Sequence, residues 1–246
     1  MDRPAPEQEN GFDVIVAGAG YVGLAVAVAI AQARPSLKVA VIDAAPADSW
    51  RRDGRSFAIA AAAVRMLDRL GCWEAIAPKA QAITDMVITD SRTADPVRPV
   101  FLTFEGEVAP GEAFAHMVFN RDLNDALRAR AGALGVDMID GVGVSGFEAG
   151  PRDAIVHLGD GASLATRLLV AADGVRSRLR DMAGIGTIHW EYGQSGIVCT
   201  VGHERPHGGR AEEHFLPSGP FAILPLAPDE DGANRSSIVW AEKTQD

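Results

Sequence analysis

The spacing of apolar and polar positions changes several times along this chain, and each change marks an element. Residues 12–17 are an unbroken apolar run rich in valine and isoleucine, the pattern of a parallel strand buried on both faces. A glycine cluster follows. Residues 21–33 are helix-forming and apolar almost all round, which predicts a buried helix, stopped by Arg34-Pro35-Ser36. A second apolar run, 38–42, ends at Asp43. The sequence therefore opens with strand, helix and strand.

Farther on the pattern is more varied. Residues 48–56 read as a polar loop carrying Arg51, Arg52 and Arg55. Residues 57–70 read as a helix ending at Gly71, and 73–79 as a short helix. Strands are expected at 86–89 and 100–104, around a Pro-containing loop, and at 115–119. Residues 121–134 form an amphipathic helix with Leu123, Leu127 and Leu134 on one face. Alternation with glycine-rich turns over 136–164 suggests a small antiparallel set, and 168–172 a short buried strand ending at Asp173-Gly174. After Tyr192 the chain turns β-rich, with strands at 197–201, 214–216, 221–226 and 237–240.

Composition narrows the classes. A length of 246 residues suits one large domain or two modest ones, and 47% hydrophobic residues can fill a core. A net charge of −10 argues against nucleic acid and against a polybasic lipid contact. Cys72 and Cys199 are isolated from each other, so neither a disulfide framework nor a zinc site is expected; both read as buried small hydrophobes in a reducing cytoplasm. Residues 1–10 are polar with two prolines and read as a disordered lead rather than a signal peptide. The longest apolar run, 22–33, is too short to cross a bilayer.

The glycine cluster, Gly18-Ala19-Gly20-Tyr21-Val22-Gly23, carries the first chemistry. Alone it is a weak signal, but a strand precedes it, a helix follows, and Asp43 lies 20 residues beyond Gly23. Gly18 permits the tight turn, Gly20 lets backbone approach a pyrophosphate, and Gly23 allows close helix–strand packing. Asp43 would accept hydrogen bonds from ribose hydroxyls and would repel a 2′-phosphate, so the pattern suits NAD or FAD over NADP. A second candidate is Asp173-Gly174, at the end of a strand; a plain Asp cap on a following helix explains it equally well. A third is Arg55-Ser56, read as Ser56 capping the next helix with Arg55 near a phosphate at its start, against an ordinary solvated arginine. His203, His207 and His214 are separated by Pro206 and Gly208-Gly209, so they read as loop and strand-end residues rather than metal ligands.

Together these segments resemble the FAD-dependent aromatic hydroxylases, in particular their ubiquinone-biosynthesis branch. The resemblance runs from the fingerprint at 12–23 through Arg55-Ser56-Phe57-Ala58-Ile59 and Leu70-Gly71 to Asn120-Arg121. It continues through 172–180 around Asp173-Gly174, and then Tyr192-Gly193-Gln194, 219–226 and Ser237-Ile238-Val239-Trp240. It implies an α/β fold: a Rossmann-like FAD-binding domain with an inserted β-rich substrate domain, as in p-hydroxybenzoate hydroxylase. On that pattern 1–85 and 115–185 would be FAD-binding, 86–114 a substrate-domain segment, and 186–246 an incomplete β-rich substrate domain. It further implies that Gly18, Gly20, Gly23, Asp43, Arg55, Asn120, Arg121, Asp173 and Gly174 contact FAD. Asn120 stands where relatives often carry Arg or Gln. Phe215, Phe221, Leu224 and Pro225 would line the substrate.

The implied reaction is hydroxylation of a polyprenylated phenol by O2 and NAD(P)H through a flavin C4a-hydroperoxide. No nucleic-acid partner is implied. A cytoplasmic enzyme is expected, and its lipid-tailed substrate is compatible with peripheral contact to a membrane or a biosynthetic complex. Family members carry a later Gly-Asp flavin motif that has no counterpart after Trp240, so the resemblance implies a chain truncated at its C-terminus. The alternatives are an NAD-dependent dehydrogenase and a non-catalytic FAD-binding fragment.

Overall fold

The computed structural model describes residues 11–90, 97–105 and 107–244. The lead expected at 1–10 and the middle of the Pro-containing loop, 91–96, lie outside them. In chain order the elements are β1 (Gly11–Ala17), α1 (Tyr21–Ala33), β2 (Val39–Asp43), β3 (Ser56–Ala60), α2 (Ala61–Arg69), α3 (Trp73–Ile76), β4 (Gln81–Ile83), β5 (Asp85–Asp90), β6 (Val100–Glu105), β7 (Glu107–Ala109), β8 (Glu112–Ala113), β9 (Ala115–Phe119), α4 (Asn120–Ala133), β10 (Asp137–Asp140), β11 (Val144–Ala149), β12 (Ala154–Leu158), β13 (Ser163–Ala171), α5 (Arg178–Met182), β14 (Gln194–His203), β15 (Arg210–Leu216), β16 (Gly219–Leu226) and β17 (Asn234–Lys243). They form two compact units, Met1–Arg52 with Asn124–Thr187 and Asp53–Leu123 with Ile188–Asp246.

The first unit is built on a six-stranded sheet of order β10-β2-β1-β13-β12-β11. β10, β2, β1 and β13 run parallel, while β12 and β11 add an antiparallel flank. Three expectations are corrected here. β10 belongs to the parallel set, beside β2, and not to the antiparallel set read over 136–164. α1 is not buried all round: Gly23, Leu24, Ala27, Val28 and Ala31 are buried while Val22 is 57% exposed. A helix lying on one face of a sheet covers only one stripe of its circumference, whatever its composition. The strand read as short and buried over 168–172 is β13, which starts at Ser163, and its Leu168 is half exposed. Its pairing with β12 ends at Thr166, so the last turn of sheet has a neighbour only on the β1 side.

In the second unit β14, β17, β16, β15, β5 and β6 form a sheet in that order. β5 lies parallel to β15, with Asp85 opposite Arg210, so distant stretches of chain share one sheet. A smaller sheet, β3-β9-β4, packs on it through Ile83, Met117, Phe119, Ala211 and Leu226, with Leu224 and Met86 alongside. The helix expected over 57–70 begins only at Ala61, because 56–60 is strand β3, paired antiparallel with β9 from Ser56–Phe119 to Ala60–Ala115. Local propensity loses there to pairing with a partner about 60 residues away. The short helix read over 73–79 is α3 followed by a 3-10 turn, Ala77–Lys79. Cys72 is buried, but Cys199 is exposed, on the edge strand β14.

Candidate functional site

In the first unit the carboxyl ends of β2, β1 and β13 lie side by side, and the glycine turn rises from the middle one. In open α/β sheets this edge is where ligands bind. Gly18 adopts φ +110°, and a Cβ on it would strike the Ala172 carbonyl. A Cβ on Gly23 would strike the Gly18 carbonyl oxygen. Gly20 differs from both: it caps α1 at φ −69°, and among the described residues, its chain neighbours aside, nothing lies within 4 Å of where its Cβ would be. Among the described residues no side chain caps α1 and no acidic residue sits in its first turn, so the positive end of the helix dipole is directed at that open space.

Asp43 is placed on this turn. Its Oδ2 accepts the Ala19 N–H at 2.5 Å and its Oδ1 accepts the Ala45 N–H at 2.7 Å. A carboxylate offers about four acceptor positions, so both oxygens keep capacity for ribose hydroxyls. The glycines, the open face at Gly20 and the acid at the end of β2 together fit the ADP moiety of a dinucleotide.

Asp173 follows β13 and holds the start of α5. Ser177 Oγ donates to Oδ1 at 2.5 Å, while Arg178 N and Leu179 N donate to Oδ2 at 2.9 and 3.3 Å. Burial pushes this carboxyl up, but the hydrogen bonds from Ser177 and the backbone amides outweigh it and hold it below the ordinary carboxylate range. The N-cap of α5 is Ser177, whose Oγ accepts the Arg180 N–H at 3.0 Å, so Asp173 does not cap the helix itself but braces that cap from the preceding turn. Gly174, at φ +93°, makes the turn out of the strand.

In the second unit Arg55 is neither solvated alone nor at a helix start, since α2 begins six residues later. Its Nη2 donates to Asp53 Oδ2 at 2.6 Å and its Nε to Oδ1 at 2.9 Å. Asn120, buried at the first position of α4, donates from Nδ2 to the same Asp53 oxygen at 2.7 Å, and its N–H donates to the Arg55 carbonyl at 2.9 Å. The hydrogen bonds from Arg55, chiefly, hold the Asp53 carboxyl below its ordinary range. No motif marks Asp53 in the sequence; its one local signal is an acid two residues before an arginine. Ser56 does not cap a helix: it opens β3, and among the described residues its buried Oγ has no hydrogen-bond partner. Arg121 is half exposed, with its guanidinium 4.9 Å from the Phe119 ring.

A cleft of about 400 Å³ adjoins Arg55, lined also by Gly54, Val198, Cys199, Thr200 and Ser237. Thr200, Ser237 and Leu224 lie opposite one another across β14, β17 and β16, and so share one sheet face. The four residues expected along a substrate wall divide between two faces. Phe215 lies opposite Pro220 and so shares the face of Leu224, whereas Phe221 and Pro225 point the other way, Phe221 edge-on to Trp240 at 5.7 Å. Side chains alternate strictly along a regular strand, so Leu224 and Pro225 cannot line one wall.

Of the histidines, His203 ends β14 and His207 lies in a loop donating to the Leu226 carbonyl, but His214 is buried in mid-strand beside Thr89 rather than at a strand end. Among the described residues no group of three or more His, Cys, Asp and Glu could hold a metal ion, and no helix is long and apolar enough to cross a membrane.

The family model described as "FAD binding domain" matches residues 11–245. The chain is 39% identical over 236 residues to ubiquinone hydroxylase UbiL of Rhodospirillum rubrum, covering 94% of this chain and 52% of that protein. It is 31% identical to 3-demethoxyubiquinol 3-hydroxylase of Escherichia coli, covering 93% of this chain and 56% of that one. A crystal structure of a PqsL mutant from Pseudomonas aeruginosa shares the fold, with a TM-score of 0.79 at 17% identity over 95% of this chain and 61% of that chain. The chain thus spans about half the length of the curated relatives it matches.

Proposed function

Since the chain belongs to the FAD binding domain family, we propose that it holds the ADP moiety of FAD on the Gly18–Gly23 turn and serves an aromatic hydroxylase of ubiquinone biosynthesis. The observation that carries this is the union of Gly20's open face, the uncapped α1 N-terminus and the Asp43 carboxylate bonded to Ala19 N–H. Two relatives are named for hydroxylation of ubiquinone and of 3-demethoxyubiquinol, which supports a polyprenylated phenol as the substrate class. When bound, FAD supplies the redox chemistry that joins NAD(P)H and O2 to ring hydroxylation.

The protein's own residues bind and orient. The amides at the start of α1 receive the pyrophosphate, and Asp43 receives the ribose hydroxyls. Arg55, Asn120, Arg121, Asp173 and Gly174 are the further FAD contacts in this reading. The Leu224–Ser237–Thr200 face, with Phe215, is the ring-side wall. Residues 1–85 and 115–185 serve FAD, and 86–114 with 186–246 serve the substrate; the pairing of β5 with β15 supports joining the latter two. A lipid-tailed substrate supports contact with a membrane surface or a biosynthetic complex.

Titration of the 246-residue chain with FAD, read by quenching of flavin fluorescence, tests the reading. Saturable binding is expected, and Asp43→Ala should weaken it about tenfold or more, the scale of hydrogen bonds to a charged acceptor. A folded chain that leaves FAD fluorescence unchanged refutes the proposal.

A further inference from the structure

We propose that Asp53 is a positioning residue that sets the Arg55 guanidinium, together with Asn120, for its contact with FAD. The inference rests on the reading of Arg55 as an FAD contact.

The geometry is that of a clamp. Asp53 Oδ1 accepts the Arg55 N–H at 3.0 Å and Nε at 2.9 Å; Oδ2 accepts Nη2 at 2.6 Å and Asn120 Nδ2 at 2.7 Å. The first of these bonds is a side-chain turn that shapes the loop through Gly54. The second and third hold the guanidinium by one planar edge, the arrangement that gives arginine–carboxylate pairs their directionality. Asn120 ties the carboxylate to α4, and its N–H to the Arg55 carbonyl ties the loop there a second time. Asp53 and Arg55 are therefore fixed to a buried residue, although the arginine side chain itself is 66% exposed.

Asp53, with both oxygens engaged by Arg55 and Asn120, is not suited to touch the pyrophosphate. A carboxylate only accepts hydrogen bonds, and beside a pyrophosphate it would repel. Its carboxyl is held below the ordinary range chiefly by Arg55, so it stays charged and keeps its grip near neutral pH. What it contributes is order: an exposed arginine loses rotamer freedom on binding, and one already clamped loses less. Ordering one such side chain corresponds to a factor of about three to ten in affinity. Gly54 and Arg55 border the cleft with Val198, Thr200 and Ser237, so a guanidinium fixed here faces a defined space.

The test is a double-mutant cycle read by FAD titration, with thermal unfolding followed in parallel. Asp53→Ala should weaken FAD binding about three- to tenfold, and Asp53→Asn, which keeps one acceptor, by less. In an Arg55→Ala background, Asp53→Ala should change affinity by less than about twofold, because the group it positions is gone. Equal losses with and without Arg55 would mean that Asp53 merely holds the loop, and would overturn the inference. Tighter binding by Asp53→Ala would also overturn it, making Asp53 a competitor of the nucleotide for Arg55. If Arg55→Ala binds FAD as wild type does, this inference falls and FAD binding stands. If the folded wild type does not bind FAD, the function proposed above falls with it.

Discussion

Replacing Gly23 by alanine sets two physical effects against each other. Gly23 lies in the first turn of α1, where helix propensity alone favours alanine by at most about 1 kcal/mol. The new methyl, however, would land on the Gly18 carbonyl oxygen, with the Ala172 Cβ at 3.2 Å. Neither obstacle is the free end of a flexible side chain. Gly18 donates its N–H to the Ile42 carbonyl at 2.7 Å, and Ala172 donates its N–H to the Ala17 carbonyl at 2.8 Å. Relief therefore requires moving α1 away from the ends of β1 and β13. Forcing a methyl into such a place costs about 1–3 kcal/mol, towards the upper end when the neighbour is backbone. Net destabilisation of about 1–2 kcal/mol is expected after the propensity gain. That corresponds to a drop in Tm of roughly 2–8 °C. Thermal unfolding followed by circular dichroism measures it. A variant that melts higher than wild type, as propensity alone would have it, refutes the close packing argued for Gly23.

The remaining predictions concern binding and pH. Gly20→Ala meets no atom and needs no unusual φ, so its Tm should change little; its methyl occupies the space before the α1 amides, and FAD affinity should fall at least about tenfold. Unchanged affinity would place the phosphates elsewhere. Burial holds the His116 imidazole below its ordinary value, so the unfolded chain binds that proton more readily. Its share of stability is complete above the ordinary histidine range and is lost as pH falls from about 7 towards the lowered folded value. Asp173 acts with the same sign at lower pH: its contribution is present above the ordinary carboxylate range and is lost as pH falls through its depressed folded value. Urea midpoints should thus decline in two stages on acidification. His116→Gln should flatten the first stage, and identical slopes in both proteins would remove His116 as its cause.

The functional site was legible in the sequence to the extent that it is local. The fingerprint, its helix and Asp43 fall within a short stretch, and both the bounds of α1 and the end of β2 agree with the pattern of apolar residues. Arg55 and Asp173 could be picked out as candidates, yet their partners could not. An acid two residues before an arginine is a weak local signal, and Asp53 stands out only once Asn120, 67 residues away, closes on it. The apolar stretch 221–226 reads as one wall in sequence, and strand alternation divides its side chains between two faces.

The sequence by itself determined the βαβ unit, because a buried strand, a glycine turn and a helix are each specified by residues within a few positions of one another. Tertiary structure decided where pairing joins distant segments. Ser56–Ala60 became a strand because β9 lies beside it, β5 entered the larger sheet because β15 accepts it, and Cys199 is exposed because β14 is an edge. Hydrogen-bonded neighbours across a sheet, unlike helical neighbours, have no fixed separation in sequence, so no local pattern encodes them.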